Sequence, residues 1–325
     1  MGAFGRNHAR VYRQLQDAGG VRLVGVVDPN TSRADAVAGE FGCKAFGSVE
    51  QMLTTHSEVQ AASVAVPTVL HREVAGSLIE AGVDVLIEKP LAATLAEADE
   101  LVRLASAHGC VAQVGHLERF NPAVRATLPL ITRPMFFEVH RLSVFSPRAL
   151  DVDVVLDLMI HDLDIVLAFV GSPVKEIRAV GLPILSEKVD IANVRVEFES
   201  GCVANFTASR VSTERVRKLR FFQAGQYISI DYGRQDVMVF SVGNDGSSAN
   251  TTVSNAQASV NPQISMAKPP ISAEEPLLAE ITAFLEAVRS RSRPVVSVED
   301  GRRALQLGLE ILAEIGRHAG RIGVV

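Results

Sequence analysis

Hydrophobic residues in the first 115 positions form short apolar runs that alternate with amphipathic stretches. Val85, Leu86 and Ile87 are consecutive apolar residues, the pattern of a parallel strand that is buried on both faces. Strand-like runs at 21–27, 59–66, 83–87 and 110–114 alternate with helix-like stretches at 8–17, 33–41, 71–81 and 95–107. This alternation predicts a doubly wound parallel sheet of the α/β class.

The pattern changes after about residue 115, where strands follow one another with few helices between them. Residues 195–198, Arg-Val-Glu-Phe, alternate polar and apolar side chains, which is typical of an antiparallel strand with one solvated face. Strands are predicted at 135–142, 176–180, 191–198, 203–209, 219–222 and 227–232. We therefore expect an α+β domain with a large open, mainly antiparallel sheet, and divide the chain into domains 1–117 and 118–325.

The C-terminal part of the chain contains a polar stretch followed by two amphipathic helices. Residues 243–271 are rich in Ser, Asn, Gly and Pro, which predicts a long surface excursion. The helices are predicted at 277–289 and 298–315, and Ser297 followed by Asp300 is typical of a capping box that starts the last helix.

Composition excludes several classes of protein. The chain has 325 residues, of which 47% are hydrophobic, and a net charge of −5, so we expect no nucleic-acid partner. No apolar run approaches the roughly 18 residues that span a membrane, so we expect no membrane partner either. Cys43, Cys110 and Cys202 form neither a disulfide ladder nor a CxxC pair. We interpret them as buried, reduced residues of a cytoplasmic protein.

Glu88-Lys89-Pro90 follows the apolar run at 83–87 directly. Because burying an unpaired charge is costly, this arrangement predicts that Lys89 lies at the carboxyl edge of the sheet, where doubly wound folds bind ligands. Pro90 disfavours a helical conformation at Lys89. The alternative is a surface Lys-Pro turn.

The N-terminus resembles the second half of a dinucleotide-binding fingerprint. Gly2 and Gly5 match the second and third glycines of G-x-G-x-x-G, but the first glycine and its preceding strand are absent. We expect the natural chain to begin about ten residues earlier, because a strand of five or six residues is needed. Gly2 would let the backbone approach a pyrophosphate, and Gly5 would allow tight packing of the helix. A frayed glycine-containing terminus is the alternative.

Asp28 follows the second expected strand, about 20 residues after the glycines. A carboxylate at this position binds the adenosine ribose hydroxyls and repels a 2′-phosphate, so NAD is favoured over NADP. Arg33 leaves NADP as the alternative cofactor. Asp28 could instead start an Asx-Pro turn.

Several motifs together resemble the Gfo/Idh/MocA oxidoreductases. They are Gly2 to His8 (GAFGRNH), Asp28, Val66-Pro67-Thr68 with His71, Glu88-Lys89-Pro90, and Asp157 with His161. The resemblance implies a Rossmann domain, an α+β domain whose open sheet face lines the active site or an oligomer contact, and a homodimer or homotetramer. It also implies cofactor contacts from Gly2, Phe4, Gly5, Arg6, Asn7, Asp28, Pro67, His71, Glu88 and Lys89.

Three segments are similar to a subgroup, the bacterial UDP-N-acetylglucosamine 3-dehydrogenases: residues 114–122, 156–164 and 187–193. The resemblance implies oxidation of the sugar 3-hydroxyl to a ketone, a step in making amino sugars for lipid A. Met159 stands where many relatives carry glycine, which bears on the pocket wall near the sugar.

Asp157 and His161 are four residues apart, and Asp164 is three further, so on an α-helix all three project from one face. We expect His161 to be the general base and Lys89 to stabilise the alkoxide-like oxygen, with Lys89 as the alternative base. Asp157 would orient the sugar and His161. A metal site or a buried salt-bridge stripe is the alternative, but hydride transfer to nicotinamide needs no metal, and we predict none.

Further substrate contacts are expected near the domain boundary. Arg119 and Asn121 are candidates, and Arg119 suits a phosphate oxygen through its forked donors, although an interdomain salt bridge is equally compatible. Arg210, Arg217 and Lys218 form a basic cluster that could hold a diphosphate or simply be solvated.

Two rival functions stay open at this stage. One is a related dehydrogenase that acts on a free polyol, inositol or aldose. The other is a non-catalytic dinucleotide-binding regulator, although such proteins usually lose the lysine or the histidine, and Lys89, Asp157 and His161 are all present.

Overall fold

The computed structural model describes residues 1–145, 152–243 and 263–322. The helices are α1 (Ala3–Asp17), α2 (Thr31–Phe41), α3 (Val49–Thr55), α4 (His71–Glu80), α5 (Leu95–His108), α6 (Pro122–Thr127), α7 (Ile160–Val170), α8 (Pro276–Ser290) and α9 (Val298–Ile322). The strands are β1 (Gly25–Val27), β2 (Lys44–Phe46), β3 (Ala61–Val64), β4 (Asp84–Glu88), β5 (Ala112–Gly115), β6 (Phe136–Val144), β7 (Val174–Leu182), β8 (Ile191–Phe198), β9 (Val203–Ser212), β10 (Val216–Gln223), β11 (Gln226–Asp231), β12 (Asp236–Gly243) and β13 (Gln263–Ala267).

The chain divides into two compact units. The first unit comprises Met1–Phe120 and Glu274–Gln306, and the second comprises Asn121–Ala273 and Leu307–Val325. The first boundary is close to the predicted division after residue 117. The prediction did not anticipate that residues 274–306 belong to the N-terminal unit, because helix periodicity does not indicate which domain a helix packs on. Assignment of cofactor and substrate to separate domains stays a prediction.

Parallel strands and crossover helices build the first unit, as the alternating pattern predicts. β3, β4 and β5 form one parallel sheet, and β1 pairs with β2 in a second. Val85, Leu86 and Ile87 are fully buried, as expected of a strand covered on both faces. The periodicity missed β2 and α3, because elements of three and seven residues are too short to show a pattern.

Helices α1 and α8 pack against the same face of the β3–β5 sheet. Val11 of α1 and Phe284 of α8 share a buried cluster with Leu86 of β4. The predicted capping box at the start of α9 is confirmed, since Asp300 accepts from the backbone of Ser297 and the Ser297 hydroxyl accepts from the Asp300 amide. The apolar cluster thus fixes α8 to the sheet, and the capping box fixes the start of α9.

An eight-stranded sheet dominates the second unit, in the order β13-β12-β11-β10-β6-β9-β8-β7. Every neighbouring pair is antiparallel except β6 with β9, so the predicted mainly antiparallel sheet is confirmed. β8 alternates buried and more exposed residues along its length, as the 195–198 pattern predicts. Helix α7 supplies Ile165, Val166 and Phe169 to the core of this unit.

Part of the predicted surface excursion lies outside the described residues, namely 244–262. Of the described remainder, Gln263–Ala267 forms strand β13 at the edge of the sheet, a strand that the prediction of a surface excursion did not include. The Ser- and Gln-containing composition concealed the strand, since an exposed edge strand needs few apolar residues. Among the described helices, none combines the length and the apolar character needed to cross a membrane.

The three cysteines are free thiols, but only Cys202 is buried. Cys43 and Cys110 are partly exposed, so the prediction that all three are buried is wrong for these two. Each lies in the connection between a helix and a strand, Cys43 between α2 and β2 and Cys110 between α5 and β5.

Candidate active site

The carboxyl ends of β3, β4 and β5 lie at one edge of the first unit's sheet. Val64 pairs in register with Ile87, and Glu88 pairs with Gly115. A Cβ added to Gly115 would lie 3.2 Å from the Glu88 side chain, so glycine at this position makes room for the glutamate. The edge therefore presents the Glu88-Lys89-Pro90 turn, as the sequence predicts.

Glu88 is held from the first helix. Its Oε1 lies 2.9 Å from Nε2 of His8, a residue of α1 that is only 2% exposed. Lys89 follows directly and is partly exposed, and the Lys89-Pro90 peptide bond is cis. His8 is thus a positioning residue that sequence reasoning missed. Its place on the inner face of the helix, six residues after Gly2, was the available signal.

Helix α1 begins earlier than predicted, at Ala3 rather than near residue 8. Gly2 is its N-cap, and the first intrahelical hydrogen bond runs from the Arg6 amide to the Gly2 carbonyl at 3.0 Å. The amides before Arg6 have no intrahelical partner and give this helix end partial positive charge. No atom lies within 4 Å of a Cβ added to Gly2, whereas a Cβ on Gly5 would meet Met1 at 3.1 Å. This open, amide-lined helix end fits a pyrophosphate.

The other predicted residues of the helix start are exposed. Phe4 is 63% exposed, and Asn7 is also on the surface. Arg6 pairs with Glu40 of α2, with its Nε 2.7 Å from the carboxylate, and lies 6.0 Å from the ring of Phe41. Their contacts with a cofactor stay predictions.

Asp28 lies directly after β1 and is mostly covered. Its Oδ1 accepts a hydrogen bond from the Asn30 amide at 2.7 Å, so the Asx turn considered above does form. Its carboxylate also forms an ion pair with the amino group of Met1. A carboxylate has room for further donors, so these contacts do not preclude ribose binding, which stays a prediction.

His71 is the first residue of α4 and is buried. Its Nδ1 lies 2.9 Å from the Pro90 carbonyl oxygen, and its Nε2 lies 3.0 Å from that of Val66. Burial lowers the pKa of His71, although its contacts with backbone carbonyls oppose this. The ring thus joins the turns that follow β3 and β4. Pro67 is exposed beside Val66. Cofactor contacts of Pro67 and His71 stay predictions.

In the second unit, Asp157 and His161 lie on one continuous helical segment that changes its winding. Val155–Met159 forms a π-helical turn, and α7 continues from Ile160. The wider turn alters the angular spacing that an α-helix gives residues four apart. Asp157 and His161 are both partly exposed. π-Turns of this kind are frequent at functional sites.

Of the three residues expected to share one polar face, the third differs from the other two in its burial. Asp164 is only 1% exposed and therefore belongs to the interior. Asp162 is equally buried and accepts two hydrogen bonds from Arg141 of β6, at 2.6 and 2.9 Å. A π-turn before α7 cannot be anticipated from α-helical spacing. The buried Arg141–Asp162 pair was also missed, because its partners are 21 residues apart.

The remaining predicted residues differ in their surroundings. Arg119 of the first unit is partly exposed. Asn121 of the second unit is buried, where its amide caps α6 by accepting from Ala123 at 3.0 Å and donates to the Tyr232 carbonyl at 3.1 Å. Substrate contacts of both residues stay predictions.

The predicted basic cluster does not form as expected. Arg210 is only 5% exposed and lies 3.4 Å from Asp190, so it is not part of a solvated face. Lys218 lies on the surface, 3.9 Å from Asp231. Within the described residues, no three His, Cys, Asp or Glu side chains gather in a metal-binding arrangement.

Two family models match the chain. Residues 1–116 match the "Oxidoreductase family, NAD-binding Rossmann fold" model, and residues 135–226 match the "GFO/IDH/MocA C-terminal domain" model. The chain belongs to the Gfo/Idh/MocA oxidoreductase family. The resemblance found in the sequence is thereby confirmed, together with the Rossmann-type fold of the first unit.

Individual relatives extend the comparison. UDP-N-acetylglucosamine 3-dehydrogenase from Acidithiobacillus ferrooxidans is 35% identical over 312 residues, covering 96% of this chain and 94% of the relative. A solved structure of that enzyme, GnnA, superposes with a TM-score of 0.86 over 97% of this chain and 95% of the other. Myo-inositol 2-dehydrogenase from Thermotoga maritima is 24% identical and covers 95% of this chain and 92% of the relative. This Gfo/Idh/MocA chain is therefore an oxidoreductase of a group that acts on CH–OH.

Proposed function

We propose that this protein is an NAD-dependent dehydrogenase that oxidises the 3-hydroxyl of UDP-N-acetylglucosamine to the 3-keto sugar. The observation that carries the proposal is the near full-length similarity to an enzyme of that name, at 35% identity. Lys89, Asp157 and His161, the residues that such chemistry requires, are all present in this chain. The ketone would serve amino-sugar synthesis for lipid A.

Several features of the first unit support NAD as the cofactor. The open start of α1 at Gly2 suits the pyrophosphate, and Asp28 suits the ribose hydroxyls. A 2′-phosphate beside Asp28 would be repelled, so NADP is the less favoured alternative. Bound NAD⁺ supplies the hydride acceptor.

The protein's own groups handle the substrate oxygen. His161 accepts the proton of the sugar 3-hydroxyl as the C3 hydride leaves, because an imidazole titrates near neutral pH. The ammonium of Lys89 donates a hydrogen bond to the same oxygen and stabilises its developing negative charge. Asp157 orients the sugar and His161. Glu88, held by His8 at 2.9 Å, precedes Lys89 at the end of β4.

A free polyol is the second candidate, since inositol dehydrogenases are among the relatives, at 24% identity for the enzyme from Thermotoga maritima. The test mixes the protein with NAD⁺ and either UDP-N-acetylglucosamine, myo-inositol or glucose, and follows the absorbance of reduced nicotinamide. We expect turnover with the nucleotide sugar only. Turnover with myo-inositol instead would replace the proposal, and NAD⁺ binding without turnover of any substrate would favour a regulator.

Assembly and location belong to the same proposal. We expect a cytoplasmic protein, because Cys43, Cys110 and Cys202 are free thiols. We expect a homodimer or homotetramer in which the outer face of the eight-stranded sheet packs on a second copy. Light scattering after size exclusion measures the mass, and a monomer at assay concentration would contradict this part.

The outer sheet face carries an apolar row that supports such packing. Phe136, Phe222, Tyr227, Phe240 and Met266 are consecutive register partners on five neighbouring strands. Successive ring centroids are 5.7, 4.9 and 5.3 Å apart, and Met266 is 61% exposed. Aromatic side chains that form a continuous row are typical of an interface core.

A further inference from the structure

Buried ion pairs fasten the segment that carries Asp157 and His161, here called the π-turn segment (residues 152–170). At its C-terminal side, Asp162 follows His161 directly and accepts from Nε and Nη2 of Arg141 at 2.6 and 2.9 Å. Both partners are at most 3% exposed, and the guanidinium also lies 5.1 Å from the ring of Tyr232. Two parallel hydrogen bonds fix direction as well as distance, so this pair sets the rotation of α7 about its axis.

A second aspartate, Asp190, organises the contacts at the N-terminal side of the π-turn segment. Asp190 is fully buried, and its Oδ2 accepts from the amides of Ile184, Leu185 and Ser186 at 2.8, 2.6 and 2.9 Å. Its Oδ1 accepts from the Ser186 hydroxyl at 2.8 Å and lies 3.4 Å from Nε of Arg210. The carboxylate therefore fixes the β7–β8 turn through hydrogen bonds and forms a buried ion pair with the arginine.

Both Arg210 and the β7–β8 turn hold the start of the π-turn segment. Nη2 of Arg210 donates to the Val152 carbonyl. The Val189 amide donates to Oδ1 of Asp153 at 2.9 Å, and the Val154 amide donates to the Val189 carbonyl at 2.8 Å. Residues 152–154 are thus tied to the turn that Asp190 organises.

Helix α9 restricts the middle of the segment. A Cβ added to Gly308 would lie only 2.8 Å from Cδ2 of Leu156, the residue before Asp157. The segment is therefore held at its start, its middle and just after His161. An ordinary helix packed by apolar contacts alone needs no such set of buried charges, and burying them is costly.

We propose that Arg141, Asp162, Asp190 and Arg210 are positioning residues, whose two buried arginine–aspartate pairs hold Asp157 and His161 in the geometry that the reaction needs. The proposal rests on the proposed function for the roles of Asp157 and His161. Small displacements of a reacting group of this kind are costly to catalysis.

Asp162→Asn and Arg141→Lys test the first pair. The asparagine keeps the shape of the side chain but loses the charge, and the lysine keeps the charge but loses the forked geometry. We expect each to lower kcat about tenfold or more while the KM for UDP-N-acetylglucosamine changes less than about threefold. Asp190→Asn tests the Arg210–Asp190 pair, and we expect the same loss of kcat with the same small change in KM. The Kd for NAD⁺, measured by calorimetry, should be unchanged.

Two control variants separate positioning from general destabilisation. Asp231→Asn removes a carboxylate that pairs with Lys218 on the same sheet and takes no part in the contacts of the π-turn segment described above. Ile228→Val removes one methylene group from a fully buried core position of the same unit. We expect both controls to retain kcat, although the second lowers thermal stability. An equal loss of kcat in the controls and in Asp162→Asn, at equal loss of stability, would overturn the proposal.

A spectroscopic measurement keeps this proposal independent of the substrate. The ring resonances of His161, assigned by their loss in His161→Gln, should shift in Asp162→Asn and Asp190→Asn but not in Asp231→Asn. This holds even if UDP-N-acetylglucosamine is not turned over, in which case only the proposed function fails. Unmoved His161 resonances in both variants would refute the positioning role.

Discussion

The sheet edge of the first unit and the π-turn segment of the second hold their polar groups in different ways. At the sheet edge, Glu88 and Lys89 are placed by strand termination, and one contact from His8 suffices to orient the glutamate. The π-turn segment is a helix, and the buried pairs Arg141–Asp162 and Arg210–Asp190 hold it. A strand end inherits its position from the sheet, whereas a helix packed by apolar contacts can rotate and slide, so it requires directional contacts.

The largest effect on activity should come from replacing Lys89 at the sheet edge. Lys89→Ala removes the donor that stabilises the substrate oxygen, and we expect kcat to fall about a thousandfold, within the range for such groups. Steady-state kinetics with saturating NAD⁺ measures it. Lys44→Ala, an exposed lysine of the same unit, is the matched control and should leave kcat unchanged. Near-normal turnover of Lys89→Ala would exclude the catalytic role.

Asp190→Asn should have the next largest effect, on stability. Burial opposes ionisation of Asp190, but hydrogen bonds from the amides of Leu185, Ile184 and Ser186 outweigh it and lower the pKa from 3.8 to about 2. A shift of this size corresponds to about 2 kcal/mol. Because the folded pKa is the lower one, the stabilisation is present above pH 3.8 and is lost as the pH falls towards 2.

Urea unfolding of wild type and Asp190→Asn at several pH values measures this contribution. We expect a difference in the free energy of unfolding of about 2 kcal/mol at pH 7 that shrinks below pH 4. A difference that stays constant between pH 7 and pH 3 would show that the charge of Asp190 does not stabilise the fold.

Asp28→Ala tests the predicted cofactor-binding role of the first unit, at the carboxylate that follows β1. Losing the ribose contact should raise the Kd for NAD⁺ about tenfold and reduce the preference for NAD⁺ over NADP⁺. Asp35→Ala, on the following helix, is the control. Unchanged selectivity between the two cofactors would confine Asp28 to its Asx turn with Asn30.

The smallest effect concerns Glu280, a buried carboxyl of α8. Within the described residues neither of its oxygens has a hydrogen-bond partner, and burial, with a contribution from Glu88, raises its pKa well above 4.5. The unfolded chain therefore releases this proton at lower pH than the folded one, so the stability of the protein falls as the pH rises above 4.5. Glu280→Gln should stabilise by under about 1 kcal/mol at pH 7. A loss of stability would show that ionised Glu280 is required.

Much of the sheet edge could be predicted from the sequence. Glu88-Lys89-Pro90 ends an unbroken apolar run, and a run of this kind indicates both a buried strand and where it stops. Gly2 and Gly5 indicated the start of a helix, although the structure starts it at Ala3. Local sequence is informative here because the position of each group depends on its neighbours in the chain.

The fastening of the π-turn segment could not be predicted in the same way. Arg210 was interpreted as part of a basic surface, but a guanidinium and the carboxylate 20 positions before it meet only after β8 and β9 have paired. The π-turn at Val155–Met159 changes the angular spacing between Asp157 and the residues of α7, and the burial of Asp164 follows from how α7 packs in the folded unit. Long-range ion pairs and local changes of helical winding leave no periodic signal.

Isotope transfer tests the central claim most directly. UDP-N-acetylglucosamine carrying deuterium only at C3 of the sugar is incubated with the protein and NAD⁺, and both products are analysed by mass spectrometry. We predict that the reduced nicotinamide carries the deuterium and that the sugar nucleotide has lost it together with one proton. Reduced nicotinamide without deuterium, or no reduction at all while myo-inositol is oxidised, would contradict the account.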